Sequence, residues 1–136
     1  MKKLIAICLL LLAFALPVAG QSKPKPWYKS KQFWAETAVV ATFAALDAES
    51  TQRGFQRCPT CYERLPVFGV QRPGRARMYL IGGALVAAER GTFAALWKHD
   101  SAREISFVAT LGQAGYHAAM IAHNNRLCPA NGTGCR

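Results

Sequence analysis

Three stretches of the chain repeat apolar residues at helical spacing, from about Gln32 to Thr51, Arg75 to Trp97 and Ala102 to Asn124. At about 100° per residue, Glu36, Val40, Phe43, Asp47 and Thr51 share one face of the first stretch. Residues 78 to 88 of the second are apolar all round, and Glu89 shares a stripe with Met78, Gly82, Leu85 and Leu96. In the third, Ile105 to Ala122 is nearly as apolar, but Thr110, Gln113, His117 and Asn124 fall within about 60° of one another. A polar turn at Lys98 to Ser101 separates the last two, and Ser101 with Glu104 has the spacing of a capping box. No alternating strand pattern, internal repeat or glycine-rich phosphate loop is present. The pattern predicts an all-α protein, a three-helix up-down-up bundle occupying residues 32–126.

The flanks carry other signals. Lys2 and Lys3, the apolar run Leu4 to Leu16, Pro17 and the small residues Val18-Ala19-Gly20 together form a secretory signal over residues 1–20. Residues 21–31, with Lys23-Pro24-Lys25-Pro26, read as a disordered lead-in, and residues 127–136, with Pro129, Gly132 and Gly134, as a loop-forming tail. The chain is expected to be exported, to the inner membrane or the periplasm. Its 136 residues suit one domain. Of the formal charge of +10, the leader's two lysines supply +2, which leaves +8. Export argues against nucleic acid as the partner of that charge and leaves anionic lipid or an acidic protein surface. Glu36 interrupts the first helix and Glu89-Arg90 the second, so no stretch is a clean spanning run of about 18–20 uncharged residues. Abundant glycine and alanine nonetheless suit close packing in lipid, and a membrane-embedded bundle is expected over a soluble one.

Up-down-up connectivity gathers the mature cysteines at one end, Cys58 and Cys61 in the first connection and Cys128 and Cys135 in the tail. Four cysteines in an exported chain predict two disulfides, and bonds between the Cys58/Cys61 loop and the tail would tie the third helix to that connection. Two other readings stay open. Cys58-Pro59-Thr60-Cys61 has the spacing of a thiol–disulfide exchange motif, and four thiolates could close a structural zinc site. Arg53, Arg57, Arg64, Arg72, Arg75 and Arg77 surround the same loop. If the helices span a membrane, positive-inside bias places that loop in the cytoplasm and favours zinc or free thiols; an exported soluble chain favours disulfides.

Depth along the helices sorts the polar groups. Glu36, Glu89 and Thr110 lie roughly 20 Å from the cysteine end, whereas Asp47, His117 and His123 lie within about 10 Å of it. Asp47, Glu89, His117 and His123 are the candidate catalytic residues, able in principle to run acid–base chemistry or hold a divalent metal, with Glu63 joining from the loop. Hydrogen bonds that fix helix packing are the alternative role for each residue taken singly. No H-E-x-x-H pattern and no activated serine is present.

The string Asp47-x-x-x-Thr51 followed by Glu63-x-x-Pro66-x-x-Gly69 resembles a group of small uncharacterised bacterial helical membrane proteins, in which an aspartate–threonine pair precedes Glu-x-Asn-Pro. His123-Asn124 at the end of the last helix is similar to the same group, so the likeness covers about residues 33 to 124. Leu65 stands where the asparagine would be. The resemblance implies a small helical membrane protein and supplies no activity. The function expected is that of a structural or interaction protein, an accessory of the cell envelope touching membrane lipid or another envelope protein. The alternatives are an enzyme with an Asp/Glu/His site between the helices and a thiol–disulfide oxidoreductase acting through Cys58 and Cys61. No cofactor is required by the sequence, although zinc fits the cysteines; a small-molecule substrate is unassigned.

Overall fold

The computed structural model describes residues 25–58, 61, 63 and 66–126. They form three helices, α1 (Lys31–Arg57), α2 (Arg75–Leu96) and α3 (Asp100–Arg126), with 3-10 turns at Trp27–Lys29 and Pro66–Phe68 and no strand among the described residues. The predicted helices are all there, and α1 runs past Thr51 to Arg57. Its added turn is anchored by Phe55, which is buried beneath the Arg72 guanidinium at 5.4 Å while Arg72 also bonds the Phe55 carbonyl. Ser30 caps α1, its Oγ accepting from the Phe33 N–H at 3.3 Å. At α3 the expected capping box is not formed. The helix begins at Asp100, which pairs with Arg103, so Ser101 already lies inside the first turn.

Both α2 and α3 pack on α1, and they touch each other at few points. Val39 and Phe43 of α1 meet Ala114 and Ile121 of α3 in the apolar centre. At one end Phe33 and Trp97 are buried edge to face, 5.1 Å apart, beneath Trp27 and Trp34. Trp27 thereby holds Trp27–Lys29 in a 3-10 turn inside the segment 21–31 expected to be disordered, of which residues 21–24 lie outside the described residues. At the other end the Gln52 amide donates to the Pro73 carbonyl at 2.8 Å and fixes the entry to α2. Gly69 closes the Pro66–Phe68 turn with φ +65°, which glycine adopts without strain, and a Cβ there would stand 3.2 Å from the Arg77 guanidinium.

The orientation of α2 is the main departure from the expected stripes, whereas the polar stripe of α3 at Thr110, Gln113, His117 and Asn124 faces the other helices. On α2 the buried positions are Met78 and Arg90, while Leu85 and Leu96 face outward. On α3 the buried positions are Ala102, Ser106, Thr110 and Ala114, while Ile105 and Val108 are 60% and 66% exposed. Polar groups thus turn inward and apolar ones outward. No helix among the described residues is long and apolar enough to cross a membrane.

Candidate functional site

Two polar layers run through the bundle. In the deeper one, Glu36, wholly buried on α1, accepts from Ser106 Oγ at 2.5 Å and from Gln32 Nε2 at 2.8 Å. Arg90 reaches it from α2, with Nη1 3.4 Å from each of Glu36 Oε2, Ser106 Oγ and Thr110 Oγ1. Its Nη2 donates to Glu89 Oε1 at 2.6 Å, and Gln113 donates to the other Glu89 oxygen at 2.5 Å. The guanidinium also lies 5.0 Å from the Phe93 ring centre. One cation is therefore held between two carboxylates and two hydroxyls drawn from all three helices. Burial pushes the Glu36 carboxyl above its ordinary value of 4.5, against the pull of Ser106, Gln32 and Arg90. Arg90 Nε and Gln113 Oε1 are buried without a partner among the described residues.

Nearer the cysteine end, Asp47 Oδ2 stands 2.8 Å from His117 Nδ1. Asn124 Nδ2 donates toward Asp47 Oδ1 at 3.3 Å and toward Ser50 Oγ and Thr51 Oγ1 at 2.9 Å. The carboxylate fixes the imidazole, the amide fixes the carboxylate, and the Tyr116 ring packs at 5.5 Å from the His117 ring centre. Such a pair can orient the second ring nitrogen for proton transfer. His123 is exposed and outside this layer, its expected place being taken by Asn124.

The structure therefore joins Asp47 to His117 and puts Glu89 in the deeper layer. No cluster of three His, Cys, Asp or Glu side chains able to hold a metal occurs among the described residues, Glu63 included. Cys58 and Cys61 are joined to each other, with Cα atoms 5.3 Å apart, which corrects the expected bonds to the tail. The local reason is a turn in which the Cys61 N–H bonds the Cys58 carbonyl at 3.1 Å and brings the two sulfurs together. The partners expected for them, Cys128 and Cys135, lie outside the described residues, so the four-thiolate zinc set does.

The third feature is the arginine end. Arg53 and Arg57 project from the last turns of α1, Arg77 from the first turn of α2 and Arg126 from the last of α3, all exposed. None of the four makes an ion pair with a described residue, whereas Arg75 is held by Glu49 at 2.8 Å. Arg64 lies outside the described residues. Exposed Val67 and Val70 sit in the connection between these arginines, 48% and 44% accessible. Sequence reasoning missed Arg90, Ser106 and the two valines. No sequence signal singled out Arg90, which next to Glu89 has the pattern of a solvated ion pair. No protein family, curated protein or solved structure matches the chain.

Proposed function

We propose that the chain is a small interaction protein of the bacterial cell envelope that seats its arginine-rich end on an anionic lipid surface, as an accessory to other envelope proteins. One observation carries this reading: four arginines without acidic partners among the described residues share an end of the bundle with two exposed valines. Of the seven acidic residues, Glu36, Asp47 and Glu89 point into the bundle, and only Glu49 and Glu63 lie near this end. The field there is positive and faces outward. Each arginine close to an anionic membrane is worth about 1 kcal/mol at moderate ionic strength. Val67 and Val70 add apolar contact at headgroup depth, the combination used by interfacial binders. The leader supports delivery to such a surface.

Co-sedimentation with vesicles tests the reading. The chain should pellet with phosphatidylglycerol-containing vesicles at low salt, release at high salt, and ignore purely zwitterionic ones. Arg53→Glu with Arg57→Glu should abolish pelleting, and Val67→Asp should weaken it. Equal binding to zwitterionic vesicles, or indifference to the charge reversals, would rule the lipid role out.

A second reading rests on the 2.8 Å Asp47–His117 pair, an oriented imidazole suited to general-base catalysis. It predicts a hydrolytic or isomerising activity that His117→Gln removes while the melting temperature is kept. A loss of melting temperature in that variant, with no activity to lose, assigns the pair to packing.

A further inference from the structure

On α3, residues Ile105, Val108, Gly112, Gly115, Ala119 and Ala122 recur at alternating three- and four-residue steps, and every one is exposed. This is the spacing of a helix–helix seam, and it covers roughly 25 Å of the helix. No described part of the chain packs on it. A glycine in mid-helix costs about 1 kcal/mol relative to alanine. At Gly112 and Gly115 nothing among the described residues asks for one, because a Cβ built at either position meets none of their atoms within 4 Å. Close approach by something outside the chain does ask for it: small residues let two helix axes come to the near end of the usual 8–10 Å range.

Charge identifies the occupant. The same face is bounded by exposed Glu104 before the seam and by exposed His123 and Arg126 after it. Laid parallel, two copies of α3 would set glutamate against glutamate and arginine against arginine. Laid antiparallel, each copy brings Glu104 toward the partner's Arg126, twice over by the two-fold symmetry of an isologous contact. We infer that the α3 seam is the contact surface for a second copy of this chain, packed antiparallel. The inward-facing polar stripe of α3 follows from this arrangement, since the apolar face is then the one enclosed between two molecules.

Sedimentation equilibrium of the purified chain as cells process it, with and without reductant, reads the association directly. A reductant-independent dimer is expected at micromolar concentration. Gly112→Gln separates association from folding: glutamine favours helix over glycine and its Cβ is unopposed among the described residues. The melting temperature of the dilute chain should hold or rise, while the dimer dissociation constant grows at least about tenfold, roughly 1.4 kcal/mol. Glu104→Arg alone should weaken the dimer, and Glu104→Arg with Arg126→Glu should restore it. A chain that stays monomeric into the high micromolar range overturns the inference. So does a dimer lost on reduction, one unchanged by Gly112→Gln, or one blind to both charge changes.

Discussion

Arg90 links side chains from all three helices. It is 4% exposed and its guanidinium bonds both carboxylates of the deeper layer, so its removal leaves Glu36 and Glu89 in one layer without a cation. Breaking a buried pair from one side costs about 3–5 kcal/mol, because the remaining charge has no counter-ion. Arg90→Met should lose that much in urea unfolding near neutral pH and recover part of it as the medium is acidified and Glu36 takes up a proton. The native chain follows the same linkage with smaller amplitude. Burial holds the Glu36 carboxyl above 4.5, so between 4.5 and its raised value the folded state binds more protons than the unfolded one. The contribution of Glu36 is therefore fully present below 4.5 and is lost as pH rises through that window. Glu36→Gln keeps an amide at the site and should flatten this dependence; an unaltered profile would show that Glu36 does not titrate there. The carboxylates were legible in the sequence as residues on helical faces at a common depth. Arg90 was not, because an arginine next to Glu89 is indistinguishable in sequence from a solvated pair, and only the packing of three helices decides which member enters.

At the level of elements, helix existence and up-down-up order followed from the 3.6-residue pattern, and the ends moved by a few residues where side chains supplied the reason. Phe55 with Arg72 lengthens α1, and the Asp100–Arg103 pair starts α3 ahead of Ser101. Which face of α2 and α3 turns inward was less legible, since both segments are apolar on several sides and periodicity alone gives no direction. The three helices are held unevenly. α1 has a helix on two sides, whereas α2 rests on α1 through Met78, Arg90 and the Trp97 cluster and leaves a groove of about 320 Å³ lined by small residues such as Ala41, Ala45 and Gly82. Hydrogen exchange should therefore be faster in the middle of α2 than in the middle of α1, as expected for an element with few buried contacts. Trp97→Ala should cost about 3–5 kcal/mol, the usual range for deleting a fully buried aromatic ring. Equal protection in both helices would mean that the groove closes in solution.

For the whole molecule, the arginine end and the α3 seam make a joint prediction that neither makes alone. The helix of 27 residues is about 40 Å long, and antiparallel pairing along it sends the two arginine ends of a dimer in opposite directions. A dimer so built cannot lay both ends on one flat membrane; it joins two. Anionic vesicles mixed with the chain at low salt should cluster, read as a rise in light scattering, and should disperse when salt is added, because the lipid contact is screened. Gly112→Gln should still pellet with the vesicles but leave them separate. Arg53→Glu with Arg57→Glu should do neither, though its dimer persists in sedimentation. The three variants thus sort the two surfaces. Clustering that survives Gly112→Gln would place the bridge elsewhere on the molecule, with the exposed face of α2 around Leu80 and Leu85 the next surface to substitute. Binding without clustering by the native chain would mean that the two copies meet in an orientation that keeps both arginine ends on one side.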